Sequence, residues 1–279
     1  MKRYAKPETV EEALALLSNG SWRILAGGTD FYPAQGARPL RDNVLDINGL
    51  SPLRGISRDG DDIVIGARTT WTDIIRADLP PAFDALKLAA REVGSVQIQN
   101  RATVAGNICN ASPAADGVPP LLALDAEIEL VSRRGERRAP LASFITGNRK
   151  AAREDGEIVS AILVPRTTEG SSAFLKLGTR RYLVISIAMV AVNLEADAGR
   201  VTQVRIAVGS CSPVARRLHE LERELVGAGL DGLGARVEPR HLDVLSPIDD
   251  LRGTAEYRRD AARTLVARAL QSAAAGYVQ

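Results

Sequence analysis

Two stretches of this chain carry residues whose types and spacing could do chemistry. The first is Gly27-Gly28-Thr29-Asp30, directly after the apolar run of residues 22–26. A strand that runs into two glycines presents bare backbone N–H groups, and successive N–H groups in a turn form a nest for an anion such as phosphate. No Gly-Lys-Ser/Thr or Gly-x-Gly-x-x-Gly pattern accompanies it, and alone the four residues read equally well as a tight strand-to-helix turn. The second stretch is residues 101–116, Arg-Ala-Thr-Val-Ala-Gly-Asn-Ile-Cys-Asn-Ala-Ser-Pro-Ala-Ala-Asp. Gly106 permits close backbone approach. Thr103, Asn107, Asn110 and Ser112 donate and accept at short range. Little of this stretch reads as helix or strand. It fits a loop that wraps a polar ligand, and it fits a connection between packed layers.

The elements around these stretches form a recognisable frame. Residues 3–6 read as a short strand. Thr9-Val-Glu-Glu12 reads as a capping box before a helix that Asn19-Gly20 ends. The strand of residues 22–26 delivers the glycines, residues 30–37 make a short helix, and residues 44–47 make another strand. Paired strands then flank the turn Arg58-Asp-Gly-Asp61, and helical periodicity covers residues 72–76 and 82–93. After residues 101–116 come a helix over 119–124 and strands over 127–132 and 157–164. Residues 167–172 are small and polar and read as a linker. Beyond them, strands are expected over 173–177, 186–195 and 200–209, with Ala198-Gly199 turning the last two into a hairpin. Helices over 215–225 and 254–275 close the chain. Strands followed by helices give an α+β class.

Composition removes several functions. A net charge of +2 offers no electrostatic case for nucleic acid, and 4% aromatics supplies few stacking platforms. No apolar run is long enough to span a membrane, and no signal-peptide core follows Met1-Lys-Arg-Tyr4, so a cytoplasmic protein is expected. Cys109 and Cys211 are too few for an iron–sulfur cluster on this chain. His219 and His241 lie away from both stretches, and no His/Cys/carboxylate spacing suggests a metal.

Leu25, Ala26, Gly27, Gly28, Thr29, Asp30 and Phe31, followed by Thr103, Val104, Ala105, Gly106 and Asn107, resemble the flavin-binding pair of the xanthine dehydrogenase family. More narrowly, the pair resembles the separate FAD-binding medium subunit of bacterial molybdenum hydroxylases, the type found in carbon monoxide dehydrogenase and nicotinate dehydrogenase. Three later features are similar as well: Glu157-Ile-Val-Ser-Ala-Ile-Leu-Val-Pro165, Phe174-Leu-Lys-Leu-Gly-Thr-Arg180, and Ile206-Ala-Val-Gly-Ser before Pro213. The resemblance implies a two-subdomain FAD-binding domain of the vanillyl-alcohol-oxidase-like (PCMH) type over residues 1–168, divided near residue 50. A smaller α+β domain over residues 169–279 follows.

The resemblance also implies roles. Gly27 and Gly28 receive the pyrophosphate, with Thr29 adding a hydroxyl and Asp30 meeting a ribose or ribityl hydroxyl. Residues 103–107 run along the phosphates and ribityl chain, with Ala105 where the family often has glycine. Asp116 bonds a cofactor hydroxyl, or serves as an acid at a helix N-terminus. Cys109, Val93 and Val159 pack on the ring, and Lys176 approaches the ring's edge. Arg180 and Arg181 face a partner or an external anion, or are simply solvated, and Glu157 lies near the mouth. FAD is expected to be non-covalent, since no histidine lies in either stretch. The molybdenum cofactor and iron–sulfur clusters are expected on partner large and small subunits, with electrons passing through FAD to NAD, a quinone or oxygen. The extra cluster insert of hydroxybenzoyl-CoA reductase is not matched, for want of cysteines. Two rivals remain at this level: a self-sufficient FAD-dependent oxidase or dehydrogenase of the same fold, and a non-enzymatic interaction module.

Overall fold

The computed structural model describes residues 3–165 and 169–277. Its first unit begins with β1 (Tyr4–Ala5) and α1 (Val10–Ser18). The Thr9 hydroxyl caps α1 by accepting the Glu12 N–H at 3.2 Å, while the Glu12 carboxylate takes the N–H of Glu8 rather than that of Thr9. Then come β2 (Trp22–Leu25), the short α2 (Phe31–Gln35) and β3 (Asn43–Asp46). The three strands form a parallel sheet in the order β1-β3-β2. Ala13, Leu17, Trp22, Leu45 and Leu50 make its core and pack on Val131 and Ile158 of the next unit.

The second unit opens with the hairpin β4 (Ile56–Asp59) and β5 (Asp62–Gly66). Helices α3 (Trp71–Arg76), α4 (Asp84–Glu92), α5 (Val96–Gln99), α6 (Val104–Asn110) and α7 (Val118–Ala123) follow. The chain then returns through β6 (Glu127–Ser132), β7 (Gly135–Pro140), α8 (Leu141–Phe144), the small pair β8 (Ile145–Gly147) and β9 (Lys150–Ala151), and finally β10 (Ile158–Pro165). Its sheet is antiparallel in the order β4-β5-β10-β6-β7. Trp71, Phe83, Leu121, Ile128, Phe144 and Ile162 are among the fully buried side chains where helices cover this sheet.

Residues 101–116 correct the expectation of an irregular loop, because α6 runs through them. The Thr103 hydroxyl caps it by accepting the Gly106 N–H at 3.0 Å, and Val104, Ala105 and Ile108 are buried in the core. Gly, Asn and Cys are poor helix formers, so this helix owes its existence to the cap and to packing rather than to propensity.

The third unit is a four-stranded antiparallel sheet, β11 (Ser171–Leu177), β12 (Ala188–Asp197), β13 (Arg200–Gly209) and β14 (Arg216–Arg217), followed by α9 (His219–Leu225) and α10 (Ala255–Ala275). Ala198 and Gly199 both have positive φ, 47° and 75°, as the two central residues of a tight hairpin turn need. The helix expected over 215–225 starts only at His219, since Arg216 and Arg217 pair with Val208 and Ala207 to make β14. Helix α10 covers one face of the sheet, with Ala262, Val266, Ala269 and Leu270 against Val190, Val192, Ile206 and Val208. Ala85 and Ala89 of α4 and Ala123 of α7 cover the other face at Phe174, Met189 and Ala191. Burial on both faces explains why β12 opens on the continuous apolar run of residues 188–192 instead of alternating. Thr167 and Thr168 of the expected linker lie outside the described residues, as does the expected boundary at 168.

Candidate functional site

A cleft of about 850 Å³ runs between the first two units, and one segment of the third closes part of it. Strand β2 ends at Leu25, and residues 26–30 turn away before α2 begins. Among the described residues, the backbone N–H groups of Gly27, Gly28, Thr29, Asp30 and Phe31 donate to no acceptor within the protein. Five consecutive free donors beside a cleft are a strong anion nest, because unpaired N–H groups are costly unless water or a ligand satisfies them. Gly28 has φ +81°, a conformation that side chains resist, and a Cβ there would meet the Tyr32 ring at 2.8 Å. A Cβ on Gly27 would run into the carbonyl oxygen of Arg101, so the two loops touch backbone to backbone.

The start of the nest is anchored from β3. Asn48 donates its side-chain amide to the Ala26 carbonyl at 2.7 Å and to Asp46 Oδ1 at 2.7 Å, while the Tyr4 hydroxyl donates to Asp46 Oδ2 at 2.5 Å. Burial pushes the Asp46 carboxyl up, but the Tyr4 and Asn48 donors outweigh it and hold the group below its ordinary value. Sequence reasoning did not find this anchor; an Asp-Ile-Asn sequence after a strand is too common to single out.

The second wall comes from the 101–116 stretch. Trp71 N–H donates to the Ala102 carbonyl at 3.2 Å and Val104 N–H to the Thr69 carbonyl at 3.0 Å, stitching α6 to the start of α3. Thr103, Ala105, Gly106, Asn107, Cys109 and Asn110 line the cleft. Asn107 accepts the Gly117 N–H at 3.3 Å through its side-chain oxygen. Asn110 accepts from Arg149, which also approaches Asp30 at 4.0 Å and so links the two loops. Cys109 is open to the cleft yet recessed among protein, and this desolvation pushes its thiol up to about 11, with Arg153 acting weakly against it. It is therefore a neutral apolar contact rather than a nucleophile.

The structure brings together at the cleft Ala26, Gly27, Gly28, Thr29, Asp30, Phe31, Thr103, Ala105, Gly106, Asn107, Cys109 and Val159, along with Val93. Leu25 and Val104 are buried beneath it as supports. Asp116 and Lys176 are not in its wall. They pair with each other: Lys176 Nζ reaches Asp116 Oδ2 at 2.7 Å and the Glu92 carbonyl at 3.4 Å, and the Ser186 hydroxyl donates to Asp116 Oδ1 at 2.6 Å. Burial pushes the Asp116 carboxyl up, against the opposing pull of Lys176 and Ser186. Both carboxylate oxygens are thus taken, and the pair bolts the second unit to the third directly behind Val93 and Ile185.

Three further contributors to the cleft escaped sequence reading. Arg23 on β2 stacks its guanidinium over the Phe31 ring at 4.3 Å, and Arg153 stands near Cys109. Leu183, Val184 and Ile185 of the third unit close one end, and Leu183 and Ile185 are more than half exposed. The apolar run of residues 182–185 was visible outside any expected strand, but nothing in the sequence says what it covers.

Glu157, expected near the mouth, is buried and accepts two bonds from Arg137, at 2.6 and 2.8 Å. Arg153 donates to its backbone carbonyl at 2.8 Å, so Glu157 supports a cleft residue. The Arg137 bond, against burial, holds the Glu157 carboxyl below its ordinary value. A lowered folded value stabilises the protein above the unfolded one of 4.5, and that stability is lost as pH falls through the folded value. Glu157→Gln should cost about 1.5 kcal/mol at pH 7, the low end for a bond between charges because Arg137 is partly solvated. It should also flatten the loss of stability below pH 4.5; urea melts of both proteins across that range check the sign.

A third cluster, Glu220, Glu224 and His241, offers ligand atoms within 4.8 Å of one another. Arg240 already pairs with Glu220, Glu224 and Glu238. His241 Nδ1 accepts the Glu238 N–H, which leaves Nε2 protonated and donating to Glu224. With Arg240 engaging both glutamates and His241 bonded to Glu238 and Glu224, the cluster forms an ion-pair network.

The sequence pattern of the family described as the FAD binding domain in molybdopterin dehydrogenase matches residues 1–167. The chain belongs to this family. The pattern of the CO dehydrogenase flavoprotein C-terminal domain matches residues 173–273. The glyceraldehyde dehydrogenase medium chain of Sulfolobus acidocaldarius is 31% identical over 97% of this chain and 98% of its own length. The carbon monoxide dehydrogenase medium chain of Hydrogenophaga pseudoflava is 31% identical over 97% and 96%. In three dimensions the chain is similar to a chain of reconstituted CO dehydrogenase from Oligotropha carboxidovorans, with a TM-score of 0.92 and 28% identity over 99% and 98% of the two chains. This molybdopterin dehydrogenase flavoprotein is thus an FAD-binding medium subunit of the molybdenum hydroxylase family, an oxidoreductase subunit of α+β fold. Among its described residues no helix is long and apolar enough to cross a membrane.

Proposed function

We propose that this subunit holds FAD non-covalently in the cleft between its first two units. The run of free N–H groups at residues 27–31 carries the reading, since it offers a pyrophosphate five unpaired donors, with no side chain at Gly27 or Gly28. Thr103, Gly106 and Asn107 would follow the ribityl chain. Val93, Cys109 and Val159 would pack on the ring, with Leu183, Val184 and Ile185 excluding water from its outer end. Arg23 and Arg153 add positive charge to a cleft that takes a diphosphate. Asp116 and Lys176 act from behind the wall, fixing its shape.

When bound, FAD supplies the exchange between one-electron and two-electron carriers. This chain's residues bind it, orient it and limit access to it; none need touch the organic substrate. The partners are a large subunit with a molybdenum cofactor and a small subunit with iron–sulfur clusters, as the relatives' medium-chain names suggest. Electrons leave through FAD to NAD, a quinone or oxygen.

A complex captured from the native cell through a tag on this chain should contain FAD, molybdenum and iron. A chain that instead purifies with FAD alone, and itself oxidises an organic substrate, would replace this reading with a self-sufficient flavoenzyme.

A further inference from the structure

The tip of the β8–β9 hairpin joins the two walls of the cleft at the end where the nest lies. The root of the hairpin is fixed, since Phe144 and Ile145 are buried in the core of the second unit and the Ala152 N–H donates to the Phe144 carbonyl at 2.7 Å. Its tip is a two-residue turn, Asn148-Arg149, between the paired residues Gly147 and Lys150. Arg149 has φ +58° at the second turn position, where glycine is usual because it takes positive φ without strain. An arginine held in a strained turn points to a use for its side chain.

That side chain is aimed by the backbone around it. The Arg149 N–H donates to the Ala111 carbonyl at 2.8 Å, and Ala111, the residue that ends α6, is itself left-handed at φ +49°. From there Arg149 Nη1 donates to Asn110 Oδ1 and stands 4.0 Å from Asp30 Oδ1. Asn110 belongs to the cleft wall of the second unit, and Asp30 to the nest of the first. One guanidinium nitrogen thus ties the two walls together.

Electrostatics gives this tie a purpose. Asp30 lies in a run of N–H groups suited to a diphosphate, yet its own carboxylate would repel one. Arg149 is the cation beside it, and more than half of each side chain is exposed. Without a ligand, such an exposed pair contributes little. With a pyrophosphate in the nest, the guanidinium faces a carboxylate and two phosphates instead of a carboxylate alone. We infer that Arg149 is a latch, a positioning residue that holds the two walls together over the pyrophosphate and slows the release of FAD. The inference rests on the flavin reading.

The test is the rate of FAD release from the loaded protein, followed by the rise in flavin fluorescence after dilution, with urea unfolding of the FAD-free proteins alongside. Arg149→Asn removes the charge and keeps the turn, because asparagine tolerates positive φ. Arg149→Lys keeps the charge and loses the planar fork. The account expects Arg149→Asn to release FAD about fivefold faster at low salt, the upper range for an exposed pair, with Arg149→Lys in between. High salt should speed release from the parent more than from Arg149→Asn, because it screens the latch. The FAD-free Arg149→Asn variant should unfold at the same urea concentration as the parent or a higher one. Equal release rates for parent and Arg149→Asn, or a difference that salt leaves unchanged, would overturn the latch while the flavin reading stands. So would a FAD-free Arg149→Asn that unfolds more easily than the parent, since faster release would then follow from a weakened hairpin. A parent that takes up no FAD would overturn the flavin reading and the latch with it.

Discussion

Replacing Gly28 by aspartate should strip the protein of flavin. Three effects act in the same direction. Gly28 adopts φ +81°, where a side chain costs about 1–2 kcal/mol in strain. A Cβ would lie 2.8 Å from the Tyr32 ring, so α2 must shift. A carboxylate in the nest would repel the pyrophosphate that the free N–H groups are arranged to meet. Together these should weaken FAD binding by more than ~100-fold, equivalent to about 3 kcal/mol. Gly28→Ala separates the causes, since it keeps strain and crowding and omits the charge. FAD titration followed by flavin fluorescence gives both affinities, and circular dichroism confirms that each variant is folded. Equal affinities for the parent and Gly28→Asp would mean that phosphate does not sit at this turn.

Breaking the Lys176–Asp116 pair should be the most damaging change away from the cleft. Both side chains are at least nine-tenths buried, so the two charges are shielded from water and depend on each other. Lys176→Met leaves a buried carboxylate with only the Ser186 hydroxyl and should cost about 3–5 kcal/mol. Asp116→Asn strands the ammonium instead, with a loss of similar size. The double variant Lys176→Met/Asp116→Asn should be more stable than either single one, as expected where each single loss is mostly an unpaired charge. Urea unfolding of the four proteins at pH 7 measures this coupling. FAD affinity should fall in the single variants too, because Ser186 follows the cleft residue Ile185 directly and the Glu92 carbonyl adjoins Val93. Additive losses would show that the two residues act separately.

The parts of the site legible in the sequence were those fixed by backbone geometry. Two glycines after a strand can mean few things, and the structure places them in a turn with free N–H groups. Thr9 before α1 and Ala198-Gly199 between β12 and β13 were legible for the same reason, since caps and tight turns depend on a few adjacent residues. Helix α6 was not legible, because its residues have low helix propensity and its support comes from Thr69, Thr103 and the core. The Asp116–Lys176 pair joins residues sixty positions apart, and no spacing rule encodes such a contact. The resemblance gave both cofactor-binding roles; in the structure they pair with each other and are absent from the cleft lining. Residues 183–185 were missed because an exposed apolar run has a function only once the wall it completes is known.

The central claim is that FAD occupies the cleft, and an absorbance spectrum of the purified chain tests it most directly, before and after adding FAD and again after acid precipitation. The account predicts the bands of an oxidised flavin, with free FAD released into the acid supernatant. A properly folded chain that is colourless and takes up no added FAD would contradict it.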